Sequence, residues 1–104
     1  MPLDFLASEK KKDITGNCAF FSLSESAHHA LMAVAEPKTQ FRTIRKFADY
    51  YADTTIVLGE IDALLQEIDT LVKTGKIRSG EFQGLIDFLG SAGRDKLNIY
   101  IFAD

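Results

Sequence analysis

Two adjacent histidines, His28 and His29, are the only imidazole groups in the chain. Imidazole can bind a transition metal or act as a general base near neutral pH. Neighbouring side chains in a helix point about 100° apart, so the pair cannot share one metal ion as residues four positions apart do. The plainer interpretation is a histidine at the core boundary beside an exposed one. A metal-binding or ligand-binding enzyme would need carboxylates from elsewhere in the fold.

Carboxylates are arranged regularly between residues 60 and 73. Asp62 and Asp69 lie one heptad apart along one edge of an apolar helical stripe, which we call the Asp edge. Glu60 and Glu67 lie one heptad apart along the other, the Glu edge. Charge on the solvent side of an amphipathic helix is usual. As a functional site, these residues would bind a basic partner protein, because complementary charge speeds encounter and selects partners.

Hydrolysis by paired carboxylates is a weaker interpretation of the same residues. Positions one heptad apart on a straight helix are separated by about 10 Å. That distance is at or beyond the spacing that such mechanisms use.

A basic patch is predicted where Arg42, Arg45 and Lys46 fall on one side of a second helix, with Tyr50 on the same side. Asp49 partly offsets this charge by pairing with Arg45 four positions away. The chain as a whole has a net charge of −3 and an isoelectric point of about 5.3. Nucleic-acid binding needs a basic footprint, so it is the weaker interpretation and a solvated helix surface is favoured.

Other catalytic patterns are absent from the sequence. Cys18 is the only cysteine, and its place at the start of an apolar run predicts a small buried side chain. No Walker, Rossmann, G-x-S-x-G or C-x-x-C motif occurs. We therefore predict no catalytic residue, no bound metal and no cofactor.

Length and composition indicate a single globular domain over residues 1–104, with 46% hydrophobic residues. The apolar piece near the N-terminus is too short for a signal peptide, and no stretch is long enough to span a membrane. We expect a cytoplasmic protein, and its small size suggests a bacterial one.

The strongest structural signal is a stripe of six apolar residues with helical spacing. They are Ile61, Leu64, Leu65, Ile68, Leu71 and Val72. A helix is predicted from about Glu60 to Lys73, with Gly59 at its start. The β-branched residues 54–57 predict a strand just before it. One continuous kinked helix over 41–73 is the alternative.

The remaining segments predict an α+β fold, with about four helices packed on a sheet of three or four short strands. Strands are expected near 18–23, 54–57 and 97–102, and a short edge strand within 1–16. Helices are expected from about 24 to 35, from about 40 to 51, and from 79 or 80 to about 91–93. The second helix would bury Phe41, Ile44, Phe47, Ala48 and Tyr51.

We predict a small acidic protein-binding domain that acts as an inhibitor of its partner. In length, acidity and lack of a catalytic signature, the chain resembles the small bacterial immunity proteins that neutralise toxins. The resemblance is one of type, and no motif or residue carries it. Enzymatic use of His28 or His29 and nucleic-acid binding by the basic patch are the alternatives.

Overall fold

A computed structural model describes residues 3–14 and 18–103. It contains β1 (Leu3–Ser8), a 3-10 turn (Lys11–Asp13), β2 (Ala19–Leu23), α1 (Glu25–Val34), α2 (Arg42–Arg45), β3 (Thr54–Ile56), α3 (Leu58–Lys73), α4 (Ser79–Arg94) and β4 (Asn98–Phe102). Four helices pack on a four-stranded antiparallel sheet, so the predicted α+β fold is confirmed.

The strands lie in the order β2-β1-β4-β3, and each neighbouring pair is antiparallel. Side chains alternate across the sheet, so Leu3, Phe5 and Ala7 of β1 all point to the buried face. Phe5 lies opposite Phe21 of β2 on one side and Ile101 of β4 on the other. The N-terminal strand, predicted to be an edge strand, is therefore a central one.

Helix α3 buries the predicted stripe. Ile61, Leu64, Ile68 and Leu71 are at most 1% exposed, and Leu65 and Val72 are half-buried. The strand and the helix predicted over 54–73 are both present, as β3 and α3. Residues 54–56 pair with β4 and so form a strand rather than part of a helix. The alternative of one kinked helix over 41–73 is therefore wrong.

The second predicted helix is much shorter than expected, since α2 covers only Arg42–Arg45. The Asp49 carboxylate accepts a hydrogen bond of 2.9 Å from the Tyr51 backbone N–H. Such local side-chain bonds give the backbone an alternative to the helix. Tyr51 is 77% exposed rather than buried.

Two smaller expectations also need correction. Cys18 is only half-buried, and its Sγ lies 3.8 Å from the backbone oxygen of Asp13. His28 is not at the boundary of the core but inside it, with 6% of its surface exposed. Within the described residues, no helix combines the length and apolar character needed to cross a membrane.

Candidate functional site

The Glu edge of α3 is used to hold the segment that contains α2. Glu67 Oε1 accepts hydrogen bonds from the backbone N–H groups of Thr43, at 3.1 Å, and Ile44, at 3.0 Å, while Oε2 lies 3.3 Å from the Thr43 nitrogen. The first N–H groups of a helix have no partner within it, and a carboxylate at that end is favourable. Glu67, which is half-buried, thereby joins α2 to α3.

Glu60 makes a second connection to the same segment. Its Oε1 accepts a bond of 2.7 Å from Lys46 Nζ and one of 3.1 Å from the Val57 N–H. The Lys46 hydrogen bond is the main reason that the pKa of Glu60 lies below its ordinary value; burial opposes it, and the hydrogen bond from the Val57 N–H and the charge of Lys46 lower the pKa further. Both residues of the Glu edge therefore bind groups of the same chain.

The Asp edge faces outward. Asp69 pairs with Lys73 at 2.9 Å, but both side chains are more than half exposed, and such surface pairs contribute little stability. Asp62 is exposed, and among the described residues its carboxylate makes neither a hydrogen bond nor an ion pair. Of the four predicted acidic residues, Asp62 has the carboxylate most available to another molecule.

Asp62 lies in a groove between α3 and α4, which we call the α3–α4 groove. It encloses about 570 Å³ and is lined by Leu58, Gly59, Ile61, Asp62, Leu65, Gly90, Gly93, Arg94 and Lys96. Gly90 and Gly93 contribute no side chain, which keeps the α4 side of the groove open. Leu58 is 37% exposed beside Asp62. The groove thus combines apolar surface with an acidic residue from α3 and two basic residues from or just after α4.

The predicted basic patch is not a continuous free surface. Arg45 donates through Nε to the Ala35 carbonyl at 3.0 Å and through a terminal nitrogen to the Met32 carbonyl at 3.1 Å. These bonds satisfy carbonyls at the end of α1. Lys46 is paired with Glu60, as described above, whereas Arg42 is exposed. Nucleic-acid binding therefore has little support from this patch.

The fourth residue of that patch, Tyr50, lies elsewhere. It lines a cleft of about 610 Å³ together with Glu25, Ser26, His28, His29 and Tyr51. We call this the aromatic cleft. The structure therefore groups Tyr50 with the two histidines rather than with Arg42.

His28 is fixed by a hydrogen bond of 2.7 Å between its Nε2 and the Phe47 carbonyl. A carbonyl oxygen only accepts, so Nε2 carries the hydrogen and is not available to a metal. His29 is exposed. In the part of the chain that is described, no group of three His, Cys, Asp or Glu residues could hold a metal ion.

Sequence reasoning missed several residues of these surfaces: Leu58, Arg94 and Lys96 in the groove, and Glu25 and Tyr51 in the cleft. Tyr51 fits the apolar helical spacing of Phe47 and Ala48, but α2 ends at Arg45 and Tyr51 lies in the turn that Asp49 makes. Leu58 lies three positions before Ile61, in phase with the six-residue stripe, so helical spacing gave no signal of its exposure. Comparison of the chain with protein-family models, with curated proteins and with solved structures gave no match.

Proposed function

We propose that this chain is a non-enzymatic protein-binding domain whose docking surface is the α3–α4 groove. The observation that carries the proposal is Asp62, an exposed carboxylate without a partner among the described residues, next to the exposed apolar side chain of Leu58. Protein interfaces commonly combine apolar contacts with a polar rim. A partner that covers Leu58 would bring a cationic group to Asp62.

Charge in the groove narrows the kind of partner. Asp62 lies in the α3 part of the groove, whereas Arg94 and Lys96 line the other side. A docked segment that places a Lys or Arg side chain near Asp62 and a carboxylate near Arg94 satisfies both sides. Complementary charge of this kind contributes more to specificity and association rate than to affinity. The partner segment we propose therefore carries both charges, with the basic group directed to α3.

The experiment is quantitative affinity capture from the native host with the whole chain as bait. Wild-type protein is compared with Asp62→Lys and Leu58→Asp. Asp69→Lys is the matched control, because it makes the same charge change on the same helix edge outside the groove. We expect one protein to be captured by the wild type and the control, and to be strongly reduced with Asp62→Lys and Leu58→Asp. Equal capture by all four baits would rule out the groove.

The inhibitor role is a further part of the proposal. A domain that covers a functional surface of its partner reduces the partner's activity in proportion to the amount bound. Titrating the captured protein with wild-type domain tests this, and we expect loss of activity that saturates at a fixed molar ratio. If the partner kept full activity in the saturated complex, the domain would be a binding module without an inhibitory role.

A further inference from the structure

The aromatic cleft is separate from the α3–α4 groove and shares no lining residue with it. It lies between the start of α1 and the loop that follows α2. Its volume of about 610 Å³ falls in the range of about 300–1,000 Å³ that is common for small-molecule sites. The proposed function gives this cleft no role.

The Tyr50 ring lies at a large angle to two other rings of the cleft, those of Tyr51 and His28. The Tyr50 and Tyr51 ring centroids are 5.7 Å apart with an interplanar angle of 87°, and the rings of His28 and Tyr50 are 4.9 Å apart at 62°. The bond from His28 to the Phe47 carbonyl fixes the imidazole. The Asp49 carboxylate fixes the backbone at Tyr51. The Tyr51 ring, 77% exposed, thus lies edge-on to Tyr50, which in turn contacts His28.

The charge of the cleft favours a cation. Of the described residues, Glu25 is the only carboxylate that lines it, and no Lys or Arg side chain does. The faces of aromatic rings are also negative and attract cations. The N-terminus of α1 carries a partial positive charge, but Glu25 in the first turn offsets it and Ser24 Oγ binds the Ala27 N–H at 3.2 Å.

We propose that the aromatic cleft binds a small molecule that carries an alkylated ammonium group. Such a group has a positive charge spread over apolar carbon, so it suits perpendicular aromatic rings better than a compact, strongly hydrated ammonium does. Glu25 adds an attractive charge without needing to bond directly to the ligand. The proposal is independent of the α3–α4 groove, and the two can fail separately.

The test is an NMR titration of the whole chain with choline, compared with 3,3-dimethylbutan-1-ol, its uncharged analogue of the same shape. We expect choline to saturate and to shift resonances of Tyr51 and His29. Its affinity should be at least about 5-fold above that of the neutral analogue, the factor that about 1 kcal/mol of cation–π attraction supplies. Equal affinities, no saturation at tens of millimolar, or shifts confined to other parts of the molecule would overturn the proposal.

Substitutions separate the rings from general apolar contact. Tyr51→Leu keeps an apolar side chain without a ring, and we expect it to weaken choline binding by about 5-fold to 30-fold, whereas Tyr51→Phe retains it. Glu25→Gln should also weaken binding, whereas Asp69→Asn, the same charge change outside the cleft, should not. Dispersed backbone spectra establish that each variant is folded. Wild-type affinity in Tyr51→Leu would overturn the role of the rings.

Discussion

Glu60 and Glu67 on one edge of α3, and Asp62 and Asp69 on the other, are acidic pairs with the same heptad spacing. The Glu edge faces the segment that contains α2. Both carboxylates of this edge accept hydrogen bonds from backbone N–H groups. The Asp edge faces away from that segment, and among the described residues its carboxylates make one ion pair, the exposed pair of Asp69 with Lys73. Spacing alone therefore does not distinguish a carboxylate that is bonded within the fold from one that is open to a partner. The difference depends on which element of the fold lies next to each edge.

The largest expected difference between the two edges is in stability. Glu67→Ala leaves the backbone N–H groups of Thr43 and Ile44 without their carboxylate, and we expect the free energy of unfolding to fall by about 1–3 kcal/mol. Glu67→Gln keeps one acceptor oxygen, so its free energy of unfolding should fall by less. Urea denaturation measures both. A loss below about 0.5 kcal/mol for Glu67→Ala would mean that α2 does not depend on this bond.

An intermediate effect is expected in the pH dependence of stability. The Lys46 bond lowers the folded pKa of Glu60, so the ionised form stabilises the fold. This contribution is present above the ordinary pKa of the glutamate, 4.5, and is lost as the pH falls through the lower folded pKa. Because both side chains are about one-third exposed, at 35% and 33%, it amounts to about 0.5 kcal/mol.

Chemical denaturation between neutral and acid pH measures that contribution. Glu60→Gln should show a shallower acid loss of stability than the wild type, and Lys46→Met should reduce the loss in the same way. An acid limb that is identical in the wild type and both variants would contradict the assignment to this pair.

The smallest effect is expected on the Asp edge. Asp62→Asn and Asp69→Asn should each change the free energy of unfolding by less than about 0.5 kcal/mol, because an exposed carboxylate with at most one surface ion pair contributes little. Thermal or urea unfolding checks this. Destabilisation of more than about 1 kcal/mol by Asp62→Asn would show that this residue serves the fold, and the contrast between the two edges would disappear.

Local patterns were enough to predict most of the elements. The α3 stripe, the β-branched strand before it and the alternating residues of β4 are each visible within a single short segment of the sequence. Helix α4 extends over Ser79–Arg94, close to its predicted bounds. These segments have propensity and periodicity that agree with their place in the fold.

Elements that depend on distant partners were predicted less well. Helical spacing continues past residue 47, but α2 ends at Arg45, and Tyr51, in the turn that Asp49 makes, is exposed. His28 is buried because the Phe47 carbonyl, 19 positions away, accepts its hydrogen bond. The role of Glu67 depends on backbone groups 23 and 24 positions earlier. None of these pairings leaves a periodic signal in the sequence.

The strand order β2-β1-β4-β3 has a consequence for synthesis on the ribosome. During translation, β1 and β2 can form a hairpin early, but within the described part of the chain β3 pairs with β4 alone. Pairing of β1 with β4 also joins residues at opposite ends of the described chain. Contacts with such a large sequence separation raise the contact order, which slows folding. A nascent chain that stops before Asn98 therefore lacks β4, the strand that lies between β1 and β3. The facing edges of β1 and β3 then remain unpaired, and the apolar face of the sheet is incomplete between them.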